Sequence, residues 1–205
     1  MFWPDRWSLY ETGPVIQLPW EPALPIVTER LILRVHEHED LDDMLEFHSD
    51  PAVVIYLPWP VRTRAQVAEA LAPKLRAGRV DAEGEWLVLA MELRSTGTVI
   101  GEVLVKCLSV ERNEAELGYA MHADYHGQGL AFEAASALVQ LAVGELSAGG
   151  LGVERLVAEL DARNAASSRL LERLGFTLFR SYESEFKGEL APGLEYELVP
   201  RTSPR

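Results

Sequence analysis

The sequence predicts a mixed α/β fold in a single domain. Apolar alternation and helical spacing give the order strand, two helices, three strands, helix, strand, helix, two strands. The 205 residues are 48% hydrophobic and 25% charged, which is enough apolar material for one substantial core. No internal repeat or low-complexity tract interrupts that order.

Residues 1–25 read as an arm apart from the body. They hold Trp3, Trp7 and Trp20 among Pro4, Pro14, Pro19, Pro22 and Pro25, a spacing that suits neither helix nor central strand. Large aromatics rarely stay in water, so the arm is expected to pack on the body or on a second subunit, in a monomer or a homodimer. The domain is expected over 26–200, with 201–205 as a tail.

The body opens with "TERLILRV" (28–35), where Leu31, Leu33 and Val35 alternate with Arg30, Ile32 and Arg34 as in a strand. "DLDDMLEFHSD" (40–50) puts Leu41, Met44, Leu45 and His48 on one helical face, with acidic residues early where the helix dipole favours them. "DPAVVIYLPWP" reads as a Pro-bounded connection, and "RAQVAEALAPKLRAGR" (64–79) as a helix interrupted or kinked near Pro73. Three strands follow at 85–93, 98–110 and 114–121, separated by the turns "STG" and "ERN". Leu130, Ala134, Leu138, Leu141 and Ala142 recur at helical spacing. "RLVAEL" (155–160) is a strand, and "NAASSRLLERLGF" (164–176) is a helix stopped by Gly175. "TLFRSYESEF" and "LEYELV" close the sheet.

Several function classes are disfavoured. No run of about 18 apolar residues is present, so a membrane span is not expected. The N-terminus lacks the basic head and apolar block of a signal peptide, and Cys107, the only cysteine, can form no internal disulfide; a cytoplasmic setting fits. A net charge of −13 repels nucleic-acid phosphate, and no basic stripe offsets it. That charge favours a cationic or amine-bearing partner, or simply keeps the protein soluble.

"DYHGQGLAFEA" (124–134) sets Gly127 and Gly129 between a strand and a helix. Each glycine costs about 0.5–1 kcal/mol in regular structure, so the pair needs a reason. A structural turn is one. A phosphate cradle is another: main-chain N–H groups from His126 to Ala131 would gather at a helix N-terminus, where the dipole adds its pull. A dinucleotide fold would need a third glycine where Phe132 stands and an acidic strand end about 20 residues on, and a P-loop would need its lysine. Neither is present.

His126-Gly127-Gln128-Gly129-Leu130-Ala131 resembles the R/Q-x-x-G-x-G/A motif of the GCN5-related N-acetyltransferases, with Gly129 and Ala131 matched and His126 where Arg or Gln is usual. "TERLILR" with "DLDDMLEFHSDPAVVIYLP", and "AELGYAMHADYHGQGLAFEA", are similar to passages of the RimJ/RimL-like branch. "NAASSRLLERLGF" resembles its N-x-x-S-x-x-x-L-x-x-x-G-F signature at Asn164, Ser167, Leu171, Gly175 and Phe176. These stretches cover residues 28 to about 180 in the family's order.

The resemblance implies a mostly antiparallel sheet of six to seven strands flanked by about four helices. Acetyl-CoA would lie in the cleft after the fourth strand, with no metal. It implies direct acetyl transfer to a primary amine: a protein N-terminus, or a small amine such as a polyamine, antibiotic or amino acid. A non-catalytic acyl-CoA sensor of the same fold is the alternative. The loop Gly127–Ala131 with His126 would hold the pyrophosphate, the main chain at Met121, His122 and Ala123 the pantetheine amides and the oxyanion, and Asn164 the pantetheine arm while capping its helix.

The chemistry also needs a neutral amine and a proton for the departing thiolate. A lysine-like amine costs about 4.6 kcal/mol to deprotonate at pH 7, and an α-amine only about 1. Glu116, in the family's "E-x-G-Y" position, is the candidate base; a solvated edge carboxylate is its bland alternative. The family's usual acid, a tyrosine seven residues after the helix-starting Asn, is replaced here by Leu171. Tyr119, Tyr125 or Tyr182 would have to substitute, or the Ser167 hydroxyl would hydrogen-bond the thiolate. His36 and His38 fit no common zinc spacing, Cys107 has no neighbouring His to activate it, and no G-x-S-x-G elbow occurs.

Overall fold

The computed structural model describes residues 16–200. Its strands are β1 (Ile26–Val27), β2 (Leu31–Arg34), β3 (Trp86–Leu93), β4 (Val99–Ser109), β5 (Glu114–Met121), β6 (Arg155–Asp161), β7 (Thr177–Phe186) and β8 (Glu189–Leu198). The helices are α1 (Leu41–His48), α2 (Pro51–Val54), α3 (Arg64–Lys74), α4 (Leu130–Val143) and α5 (Ala165–Arg173). One sheet runs β1-β2-β3-β4-β5-β6-β8-β7, antiparallel at every step except β5–β6.

The mixed architecture and the mostly antiparallel sheet are as expected. The extra strand is β1, whose two residues are too short to show a period. The Pro-bounded connection contains a helical turn, α2: Asp50 caps it by accepting from Ala52 N–H at 2.8 Å, and Pro51 starts it where no N–H is required. Pro73 lies in the last turn of α3, so the helix ends at Lys74 instead of kinking. Its start is a reciprocal cap between Thr63 and Gln66. Strand β8 begins at Glu189, not Leu194. Lys187 and Gly188 both take positive φ (53° and 82°), the conformation a two-residue hairpin needs.

Period-two alternation sorts the sheet's side chains onto two faces. Leu117, Met121, Leu156 and Ala158 pack with Leu130, Leu138 and Leu171 beneath α4 and α5. On the other face, Ala120 packs with Met44, Phe47, Val67 and Leu71 beneath α1 and α3. That second face also buries Glu102 of β4, which pairs with Lys74 and lies 3.6 Å from His36 Nε2 and 3.9 Å from His48 Nε2. A buried carboxylate persists only with such partners, so Glu102 ties α3 and the β2–α1 segment to the sheet.

Of the N-terminal stretch, Trp20 is buried, donates through Nε1 to Gly149 O at 3.0 Å, and bridges Val80 through its main chain. The Ile16 N–H donates to Asn113 Oδ1 at 2.6 Å. Trp3, Trp7, Pro4, Pro14 and the tail 201–205 lie outside the described residues.

Candidate active site

Pairing between β5 and β6 joins Glu114 to Arg155, Ala115 to Leu156 and Glu116 to Val157, and then stops. Both strands continue, β5 to Met121 and β6 to Asp161, so the sheet splays open. Along a strand, successive residues point their N–H and C=O to opposite sides. His122 N–H donates to Ile100 O on the β4 side at 2.8 Å. The main-chain groups of Leu117, Tyr119 and Met121 therefore face the splay. They are a free sheet edge.

At the open end the chain turns through Ala123–Tyr125 into the glycine stretch. Gly127 and Gly129 take φ of 72° and 78°, where a Cβ is strained. A Cβ at Gly127 would meet nothing within 4 Å, and one at Gly129 only Arg30 Nη2 at 3.6 Å. Internal packing therefore does not dictate these glycines. The backbone turn does, and the space beside them is open. Among the described residues, the main-chain N–H groups from Gly127 to Phe132 meet no acceptor. Gly129 caps α4 without a side chain, so the helix start stays open to an anion.

Two pairs of contacts hold this cradle. His126 Nε2 donates to Met121 O at 2.9 Å, and its main-chain N–H to Ala123 O at 3.0 Å. The His126 amide is thus engaged, and the open N–H row begins at Gly127. Glu133 accepts from Thr28 Oγ1 at 2.6 Å, Arg30 N–H at 2.7 Å and Arg30 Nε at 2.7 Å, while Arg30 Nη1 donates to Gln128 O at 2.8 Å. Burial pushes the Glu133 pKa up, but these donors outweigh it and hold the carboxyl below the usual range.

The expected main-chain partners are only partly free. His122 N–H is taken by β4, and its ring accepts from Asp124 N–H at 3.1 Å; the carbonyls of Met121 and Ala123 are taken by His126. The unpaired edge lies earlier, at Leu117, Tyr119 and the Met121 N–H.

Glu116 stands at the closed end of the splay and makes no ion pair among the described residues. Burial raises its pKa, and the carboxylates of Glu159 and Glu195 raise it further against the pull of Lys106. On the same face, Tyr182 is pushed up to about 12 by burial and by Glu159. Across the splay, Asn164 Oδ1 accepts from Ser167 N–H at 3.1 Å and caps α5. Tyr119 OH lies 3.5 Å from the Ser167 carbonyl, and burial pushes its pKa up to about 12. Leu171 is 1% exposed and belongs to the core. Tyr125 lines a cavity with Arg30, Arg94 and Gln128.

The remaining sequence candidates fall elsewhere. His36 is buried between Asp40 (3.3 Å) and Glu102 (3.6 Å), and Cys107 is a buried free thiol whose pKa burial raises. No group of three or more His, Cys, Asp or Glu among the described residues is arranged to hold a metal. The Arg30–Glu133 clamp escaped the sequence reading, because a Glu in the first helical turn is already explained by the dipole.

Residues 30–177 match the family described as acetyltransferase (GNAT) domain. The uncharacterized N-acetyltransferase p20 of Bacillus licheniformis is 29% identical over 179 residues, covering 86% of this chain and 96% of its own. A GNAT-family acetyltransferase structure from Bacillus anthracis superposes with a TM-score of 0.73 at 21% identity, covering 86% of this chain and 98% of that one. RimL, a ribosomal L7/L12 α-N-protein acetyltransferase in complex with coenzyme A, superposes at 0.67 with 17% identity over 85% and 96% of the two chains.

Proposed function

The chain belongs to the acetyltransferase (GNAT) family, and from that premise we propose that it transfers an acetyl group from acetyl-CoA directly to a primary amine. One observation carries the reading: a free sheet edge at Leu117–Met121 ends at an unanswered row of N–H groups from Gly127 to Phe132. The edge suits a pantetheine arm laid alongside as a strand, and the row suits a pyrophosphate. Acetyl-CoA when bound supplies the activated thioester.

In this reading Glu116 receives the amine's proton, directly or through water. Its raised pKa makes it a stronger base than a free carboxylate. The Met121 N–H faces the splay and donates to the developing oxyanion. The Ser167 hydroxyl hydrogen-bonds the departing thiolate, which takes its proton from water, and Asn164 holds the arm with the amide nitrogen that its cap leaves over. Leu171 offers no proton, and the pKa of Tyr119 is pushed the wrong way for an acid. The acceptor approaches the Glu116 face, where Glu159 adds negative charge and favours a cationic amine.

The test is calorimetric titration with acetyl-CoA, followed by an acceptor screen that detects free CoA thiol with polyamines, aminoglycosides, amino acids and N-terminal peptides. Binding together with thiol release is expected. No binding at millimolar acetyl-CoA would remove the reading. Tight binding without release across the panel would favour the non-catalytic alternative.

A further inference from the structure

In "LPWPVRTRAQ" (57–66), Pro58 and Pro60 restrict the backbone on either side of Trp59, and the Thr63 cap then starts α3. Trp59 stacks on the buried His48 with ring centres 5.3 Å apart, and the Arg62 guanidinium lies over the Trp59 ring at 4.7 Å. Arg62 is tied twice to the end of α1. Its main-chain N–H donates to His48 O at 3.1 Å, and its Nη1 donates to His48 Nδ1 at 2.9 Å. Both acceptors are neutral, because burial holds the His48 ring uncharged. Burial also pushes the Arg62 pKa down; Glu102 pulls it back from a distance, but that carboxylate is taken by Lys74. A half-buried guanidinium normally has an anion beside it. Among the described residues the chain supplies none.

A cavity of about 320 Å³ opens on this guanidinium, walled by Trp59, Pro60, Arg62, Gln66, Glu69 and Ala70, a size that suits one small molecule. None of these residues belongs to the splay between β5 and β6. Gln66 spends its Oε1 on the Thr63 N–H at 2.9 Å, which leaves its amide nitrogen as a further donor in the wall. Glu69 brings the opposite sign. It makes no ion pair among the described residues, so it and Arg62 share one cavity without cancelling each other. A ligand that carries both charges answers both walls. Trp59, Pro60 and Ala70 add apolar surface for its body. We infer that this flank of α3 is a binding site for a small zwitterion, an α-amino acid with an apolar side chain, with Arg62 and Gln66 taking the carboxylate and Glu69 the ammonium. The site does not depend on the transfer reading above.

The test is an NMR titration of the full ¹⁵N-labelled chain, read at the indole N–H of Trp59, whose buried Nε1 meets no acceptor. The probes are L-leucine, leucinamide, which lacks the carboxylate, and 4-methylpentanoate, which lacks the ammonium. Leucine should move that signal at about 10 mM or below and bind about tenfold or more tightly than either analogue, since each analogue forfeits one charge-assisted contact. Arg62→Gln should bring leucine down to the leucinamide affinity, and Glu69→Gln should bring it down to that of 4-methylpentanoate. Because Arg62 also holds His48, Ala70→Phe serves as a further variant that leaves that bond intact and fills the cavity; it should abolish the leucine shift. An indole signal that leucine does not move, equal wild-type affinities for the three probes, or undiminished leucine binding in Ala70→Phe would overturn the inference. None of these outcomes bears on acetyl-CoA binding at the splay, which its own titration decides.

Discussion

His126 ties the cradle back to the strand that leads into it, its Nε2 donating to the Met121 carbonyl at 2.9 Å. A carbonyl can only accept, so this bond requires the proton on Nε2. The first prediction follows from it. His126→Ala frees the loop and is expected to weaken acetyl-CoA binding about tenfold, as loss of one ordering hydrogen bond implies. His126→Gln, which can still donate, should recover part of the loss. Titration of both variants checks this, and equal losses would show that the bond does not matter.

Gly129 tests the cradle itself. At φ 78° an alanine is strained by about 1 kcal/mol or more but adds little bulk, whereas a glutamate places a carboxylate against the open N–H row. Gly129→Glu is expected to abolish acetyl-CoA binding, and Gly129→Ala to lower thermal stability with a smaller effect on binding. Undiminished binding by the glutamate variant would locate the pyrophosphate elsewhere.

Glu116 sets activity and stability against each other. Its folded pKa lies above its unfolded one, so its stabilising effect is complete only below the unfolded pKa and is lost as pH rises through the folded pKa. At neutral pH Glu116→Gln should therefore hold or raise the melting temperature. The same change removes the base and should lower kcat by about a hundredfold or more. The wild-type rate should rise with pH through a pKa above the ordinary carboxylate range, and that limb should vanish in the variant. A variant that keeps both rate and limb would return Glu116 to a plain edge carboxylate.

Ser167 and Tyr119 are the two hydroxyls that can serve the departing thiolate, the first by a hydrogen bond and the second as an acid. Ser167→Ala is expected to lower kcat about tenfold or more with little change in KM, while Tyr119→Phe, whose hydroxyl only meets the Ser167 carbonyl at 3.5 Å, should leave kcat nearly unchanged. The opposite pattern in steady-state kinetics would reassign the proton to the tyrosine.

Acid stability reports on the second face of the sheet. Burial, above all, holds His48 neutral and lowers its pKa from 6.5 to about 4; Glu102 pulls it upward, while Lys74, Arg62 and His36 push it down. A depressed folded pKa contributes stability that is present above 6.5 and lost as pH falls through about 4. Glu102, held low chiefly by Lys74 against its burial, adds a loss of the same sign at low pH. Melting temperature should therefore drop across that window. His48→Gln should flatten the decline without removing Glu102's share, and an unchanged slope would contradict the assignment.

Local periodicity made most of the fold legible. Strands β3 to β6 and helices α4 and α5 follow from alternation and spacing within single stretches, and Asn164 announces its helix as a cap. The glycine turn was equally plain, because positive φ has few other solutions. What escaped depends on partners far apart in the chain. The end of β5–β6 pairing is a relation between Glu116 and Val157, and the clamp joins Arg30 to Glu133. For the same reason the free edge was placed at Met121–Ala123, since nothing local shows that His122 N–H belongs to β4 and that His126 caps Met121. Position α2 was missed because one helical turn is shorter than any pattern.

The interrupted pairing beyond Glu116 and Val157 also has a mechanical side. Helix α4 rides on β2, β4 and β5, while α5 rides on β6, so each flank of the gap carries its own buttress. Below the gap a few rungs join the flanks; above it nothing in the sheet sets their separation. A ligand inserted there would act as a removable strand that stiffens the aperture while present and lets it relax on leaving.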